Sequence, residues 1–246
     1  MKAKWKLVKF ILGITVFIFL VSFSAKRHAC KPIKDIRVSI ESSSSQYFIN
    51  DSLVKRVVNA KPLQVLTIPL GNLNIAEIEQ LLNQNSFIKQ AQVHKGVEGN
   101  LNIKVIQKTP VCRIITENDE YYLSEDLSKM PLSTLYAAEV LMVGGDVEKE
   151  DFQGLANLVK YLNDDKLLKK HIIAVRKEAP NSFILLINKG DYVIEFGELD
   201  KIDEKFDKLK LFYEQYISKV GLDYYEKIDL RFNNQIVATK RIKDEK

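Results

Sequence analysis

LNIKVIQKTPVCRI, residues 101–114, divides the chain into its two halves. Leu101, Ile103 and Val105 alternate with Asn102, Lys104 and Ile106, the period-two pattern of a strand with one buried face. Upstream, SFIKQAQVHK (residues 86–95) pairs with it as an antiparallel hairpin across the loop Gly96-Val-Glu-Gly-Asn100. Further back, IKDIRVSIE (residues 33–41) alternates at Ile36, Val38 and Ile40 and reads as another half-buried strand, followed by a Ser42 to Ser45 loop. Between these strands, Asn50 or Asp51 caps a short helix carrying Leu53, Val54, Val57 and Val58. Asn74 with Glu77 three residues on has the form of a capping box, opening a helix with Ile75, Ile78, Leu81 and Leu82 on one face. Residues 33–108 are therefore a strand-helix-helix-strand-strand module whose helices must cover one face of a small sheet.

From Thr109 onward the chain is richer in strands. They fall near Val111 to Ile115, Glu120 to Leu123, Val140 to Val143, Ile172 to Lys177, Phe183 to Ile187, Tyr192 to Phe196, Lys227 to Arg231 and Gln235 to Arg241. Asn188-Lys-Gly-Asp191 makes a hairpin turn between the fifth and sixth of these. Two amphipathic helices interrupt the series. One carries Phe152, Leu155, Leu158, Val159 and Leu162; the other carries Ile202, Phe206, Leu209, Phe212, Tyr213 and Tyr216 at three-and-four spacing, which suits helix-on-sheet packing. The last strand raises its own question, because a strand at a sheet edge leaves one row of backbone groups open and nothing after Arg241 is long enough to cover it.

The beginning departs from globular composition. After Lys2, Lys4, Lys6 and Lys9, residues 10–25 run for sixteen positions without a charge, roughly 24 Å as a helix. Adding Leu7 and Val8, with Lys9 snorkelling, extends the stretch to about 28 Å, close to a hydrocarbon core. The reading is a single transmembrane span over residues 10–25 behind a cytoplasmic tail of residues 1–9. Its rival is a cleaved signal peptide with Ser22-Phe-Ser24 near the cleavage point, for which the apolar run is long. Lys26, Arg27, Lys31 and Lys34 balance the four lysines before the span, so the charge rule does not choose an orientation. A nine-residue leading tail and a trailing body of over two hundred residues favour an inside N-terminus with the body exported.

Composition narrows the function classes. The net charge of +5 arises from 37 Lys and Arg and 32 Asp and Glu scattered along the chain, without the basic stripe that tracks a phosphate backbone, which speaks against nucleic acid. Cys30 and Cys112 are too few for a disulfide scaffold and belong to no metal-binding grouping. His28, His94 and His171 stand far apart, outside any HExxH pattern. Gly96, Gly99, Gly144 and Gly145 are turn glycines rather than a phosphate-binding loop. Asp164, Asp165, Asp200 and Asp203 lie at helix ends, where capping accounts for them. No catalytic residue, cofactor site, metal site or small-molecule substrate is read from the sequence.

The order of these parts resembles the FtsQ/DivIB family of bacterial cell-division proteins. The resemblance is carried by the basic tail, the single span, the module ending in LNIKVIQKTPVCRI, Phe196-Gly197 followed by a helix bearing Lys205, and above all Ile228-Asp-Leu-Arg231. It implies an α+β chain. A single N-terminal transmembrane helix comes first, then a POTRA domain (β-α-α-β-β, residues 33–108). A mixed, mostly antiparallel β domain with flanking helices follows over residues 109–246. It also implies a non-enzymatic scaffold of the divisome in the inner membrane at the division septum, binding FtsB- and FtsL-type partners and helping to recruit and regulate septal peptidoglycan synthesis. The open last strand would then be filled by a partner strand at Phe232, Asn233, Asn234, Gln235, Ile236, Val237, Ala238, Thr239 and Lys240. Phe232-Asn-Asn-Gln235 and the charged tail depart from the family pattern, so details of partner recognition do not carry over. The alternatives are a membrane-anchored envelope enzyme, which needs convergent polar groups in a pocket, and a POTRA protein of export or barrel assembly, which needs repeated modules or a barrel.

Overall fold

The computed structural model describes residues 2–41, 47–61, 63–96 and 98–242. The expected Ser42 to Ser45 loop and the charged tail beyond Ile242 lie outside them. Two compact units, Met1–Gln107 and Lys108–Lys246, make up the chain.

The first unit begins with helix α1 (Lys2–Ala29), which continues eight residues ahead of the apolar run and four past it. Its side chains from Phe10 to Ser24 are all exposed. That stretch alone is about 22 Å of helix, and among the described residues no helix is long and apolar enough to cross a membrane. Strand β1 (Asp35–Glu41), helices α2 (Asp51–Asn59) and α3 (Ile75–Asn83), and strands β2 (Ile88–Lys95) and β3 (Asn100–Gln107) follow in the order read from the sequence. Local chemistry starts both helices: Asn50 Oδ1 accepts the Leu53 N–H at 2.9 Å and Asn74 Oδ1 the Glu77 N–H at 3.4 Å, satisfying donors that have no partner within the helix. β3 lies in the centre of the sheet, parallel to β1 and antiparallel to β2. Leu101, Ile103 and Val105 are buried against Val54, Val58, Ile78 and Leu82, so the alternation reads the correct face. The outer edge of β2 is closed by α3, since Asn83 Oδ1 and Glu79 Oε1 each accept a β2 N–H, those of Ala91 and Val93, at 2.7 Å. A strand arriving there finds those donors taken.

The second unit is a nine-stranded sheet: β4 (Pro110–Ile115), β5 (Glu120–Ser124), β6 (Lys129–Pro131), β7 (Leu141–Gly144), β8 (Ile172–Ala179), β9 (Ser182–Ile187), β10 (Val193–Gly197), β11 (Tyr225–Asp229) and β12 (Val237–Lys240). Its order is β12-β11-β10-β9-β8-β7-β4-β5-β6. The pairs β4–β7, β7–β8 and β10–β11 are parallel and the other five antiparallel. Helices α4 (Phe152–Asp164), the short α5 (Lys166–His171) and α6 (Ile202–Phe212) lie between the strands in sequence. Phe152, Leu155 and Leu158 of α4, with Phe206 and Leu209 of α6, bury the inward side chains of the sheet, among them Cys112, Ile114, Leu185, Ile194 and Ile228. Cys112 is fully enclosed and burial pushes its thiol up to about 12, while Cys30 is exposed.

Several details differ from the sequence reading. The short strand β6 and helix α5 were not anticipated, although Met130 and Leu168 are wholly buried. β11 begins and ends two residues earlier than expected, Tyr225–Asp229, and β12 is confined to Val237–Lys240. Finally, α6 is continued by a π-helical turn, Tyr213–Ile217. The wider turn inserts one residue into the three-and-four rhythm. Tyr216, placed by periodicity on the inward face, is 53% exposed, and Ile217 takes the core position at 7%.

Candidate functional site

β12 is the terminal strand of the large sheet and, among the described residues, pairs only with β11, through Asp229↔Val237, Ile228↔Ala238, Lys227↔Thr239 and Tyr225↔Lys240. The bulge in this ladder lies on β11, so β12 itself is regular. The Arg241 N–H donates to the Tyr224 carbonyl at 3.0 Å. On a regular strand successive residues turn their backbone groups to opposite edges. Arg241, Thr239 and Val237 therefore face β11, and the N–H and C=O groups of Ala238 and Lys240 face away from the sheet.

The nine residues read from the sequence divide into a turn and this strand. Phe232, Asn233 and Asn234 form the turn, with Asn234 at φ 60°, in the left-handed region that asparagine tolerates. Lys208 Nζ donates to the Phe232 carbonyl at 2.7 Å, and Lys201 Nζ to Asn233 Oδ1 at 3.2 Å, so α6 and the residue before it hold the turn. Gln235 is exposed, whereas Ile236 and Ala238 pack on the core. Phe232 (44%) and Val237 (43%) present apolar surface, and Thr239 and Lys240 are exposed beside them. Lys240 Nζ lies 5.5 Å from the Tyr224 ring centroid, and its hydrogen bond to the Tyr224 hydroxyl raises its pKa. Beyond the strand, Arg241 Nη1 bonds Asp191 Oδ2 at 2.7 Å, tying the end of the edge to the β9–β10 turn.

The separated pieces that carried the resemblance meet in space behind this turn. Lys205, nearly buried, donates to the Glu198 carbonyl and to Asp200 Oδ1, both at 2.7 Å, with its ammonium 4.7 Å from the Phe196 ring centroid. That hydrogen bond lowers the Asp200 pKa. Gly197 has φ +73°, and a Cβ there would stand 2.7 Å from Arg231 Cγ, so glycine serves both the backbone and the close approach. Arg231 Nε bonds Asp229 Oδ1 at 2.9 Å, while Ile228 and Leu230 point into the core. Burial would raise the Asp229 carboxyl, but hydrogen bonds from Arg231 outweigh it and hold the carboxyl low. A cavity of about 440 Å³ among Gly197, Asp200, Lys205, Arg231 and Asn233 is the meeting point.

The comparisons follow the same division. Residues 109–239 match the model described as FtsQ/DivIB, C-terminal related, and residues 30–106 match that of a POTRA-like domain. The chain belongs to the FtsQ/DivIB family. It is a family of cell-division proteins, and membership places this chain at protein–protein interactions in division. No curated protein matches it.

The FtsQ/DivIB family is one of non-enzymatic division scaffolds, and the second unit has further clefts. One of about 720 Å³ opens at the carboxyl ends of β4, β7 and β8, lined by Asp119, Lys129, Glu148, Lys177 and Glu178 among others. Its buried polar pair, Lys177 Nζ to Asp151 Oδ2 at 2.7 Å, belongs to the structure that starts α4: Asp151 Oδ2 also accepts the Glu148 N–H at 2.9 Å in a capping box. Among the described residues no group of three His, Cys, Asp or Glu could hold a metal ion.

Proposed function

We propose that this chain is a bitopic scaffold of the bacterial divisome that docks FtsB- and FtsL-type partners on its β12 edge and helps to recruit and regulate septal peptidoglycan synthesis. Residues 10–25 anchor it in the inner membrane, with the N-terminus inside and residues 33–246 outside the cytoplasm at the septum. The observation that carries the docking reading is the open edge: Ala238 and Lys240 turn backbone donors and acceptors outward, with exposed Phe232, Val237 and Thr239 alongside. A partner strand added there gains main-chain hydrogen bonds, and its alternate side chains meet these residues. The anchor reading rests on the charge-free run of residues 10–25, whose side chains from Phe10 to Ser24 are exposed on α1, in water a large unfavourable patch.

A photo-crosslinking amino acid placed at exposed Thr239 tests the docking reading in dividing cells. The expected product is a covalent adduct with an FtsB-type chain at midcell. Adducts only to unrelated envelope proteins, with a fluorescent fusion spread evenly around the envelope, would remove the proposal.

A further inference from the structure

The end of α1 and the loop resting on it form a second surface of the first unit. The Leu70 N–H donates to the Lys31 carbonyl at 2.9 Å, which fixes the 3-10 turn Leu70–Asn72 beside the end of α1. From the other side Lys95 Nζ donates to the Leu73 carbonyl at 3.1 Å. Lys26, Arg27, Lys34 and Lys95 are exposed here, Lys31 is half-buried, and Pro69, Gly71 and Asn72 are exposed with no side-chain charge. Asp35 and Glu98 are the nearby acids in sequence, and Glu98 is engaged by Arg37 at 3.6 Å.

We propose that this face seats on the anionic phospholipid headgroups around the anchor, so that the POTRA-like unit is held against the membrane rather than merely tethered to it. The inference rests on the anchor reading of residues 10–25. Distances along the chain make it concrete. From Ala25 to Ala29 the helix rises about 6 Å, and two further residues add at most about 7 Å. The headgroup layer is about 5–7 Å deep on each side, and charges act across a Debye length of about 8–10 Å. Lys26 and Arg27 therefore fall within the headgroups, and the Lys31 carbonyl, with the turn bonded to it, stands just above them. Each cation near an anionic surface adds about fivefold to the preference for it. The same charges are those that cancel the basic bias of the leading tail, and headgroup binding gives them a use on the far side of the span.

The test uses the full chain with Trp5→Phe and Asn72→Trp, reconstituted into mixed phosphatidylglycerol–phosphatidylcholine vesicles or pure phosphatidylcholine vesicles containing a headgroup-level nitroxide lipid. Expected are flotation with the vesicles after carbonate washing and quenching of the Asn72→Trp emission in the mixed vesicles. Quenching should fall at least about fivefold in pure phosphatidylcholine and on Lys26→Gln, Arg27→Gln, Lys31→Gln and Lys34→Gln together. Carbonate-resistant flotation with no quenching, or with equal quenching in both vesicles, overturns the headgroup contact and leaves the anchor standing. Release by carbonate overturns the anchor and this inference with it. Hydrogen exchange over residues 66–72 of the unsubstituted chain reads the same contact independently of the tryptophan: slower exchange in the phosphatidylglycerol vesicles supports it, and equal exchange counts against it.

Discussion

His171, Tyr192 and Tyr213 share one polar knot inside the second unit. His171 Nε2 lies 3.1 Å from the Tyr192 hydroxyl and 2.9 Å from that of Tyr213, and the two hydroxyls are 3.1 Å apart. Burial lowers the His171 pKa, so the folded chain holds the ring neutral at a pH where the unfolded chain, with a pKa of about 6.5, takes up a proton. The unfolded state binds more protons in that window, so stability falls as pH drops below about 6.5. Urea midpoints measured from neutral to mildly acid pH should decline for the wild type and decline less for His171→Gln; parallel declines would show that the knot contributes nothing to the slope. Gly145 is a second residue-scale case. At φ +101°, a Cβ there would run into the Lys177 carbonyl, which is backbone and cannot turn aside. Gly145→Ala should cost about 2–4 kcal/mol, read as a lowered urea midpoint with an unchanged denaturant slope. The individual contacts around the edge, from Lys201, Lys208 and Arg241, were not legible in the sequence. A charged residue in a loop or on a helix flank carries no periodic signal of what it touches. Lys205 was flagged only by its position after Phe196-Gly197, and the structure supplies its physical use.

Secondary structure was readable wherever an element was long enough to repeat its own period. α4 presents Phe152, Leu155, Leu158, Val159 and Leu162 to the core as its spacing requires, and β3 does the same with Leu101, Ile103 and Val105. β6, at three residues, completes barely one alternation, and Met130 owes its burial to its cross-strand neighbour Tyr122, which sequence spacing cannot reveal. The π turn after α6 failed for the opposite reason. The pattern was long, but one extra residue per turn shifted its end. At β12 the parity of the strand makes a sharp prediction. Ala238→Pro removes an outward N–H and leaves the ladder to β11 intact, so the domain should stay folded while affinity for an FtsB-type partner falls at least about fivefold, the loss of a backbone hydrogen bond or more. Val237→Pro removes an inward N–H and should instead lower the melting temperature. Isothermal titration and thermal denaturation of the two variants distinguish these outcomes; equal behaviour of both would show that the parity, or the edge itself, is wrongly assigned.

At the scale of the whole chain, the order of the parts was the most legible feature: apolar run, small α+β module, larger sheet. Strand sequence order says little about sheet order, however, and the placement of β10 beside β11 in parallel, with β12 outermost, needed coordinates. For membrane topology the expected result is specific. A periplasm-dependent reporter fused after Lys246 should be active, its cytoplasm-dependent counterpart silent, and the chain should keep its apolar N-terminal segment on mass spectrometry of the purified protein. A mature chain starting near Ala25 would replace the anchor with a signal peptide. The two cysteines have a practical consequence for all such measurements. Because Cys112 is sealed in the core with its thiol pushed up to about 12, it presents almost no thiolate to an alkylating reagent, whereas Cys30 stands exposed just past the end of α1. The native chain is thus addressable by maleimide chemistry at a single position, and a dye or spin label can be installed there without engineering away a competing thiol.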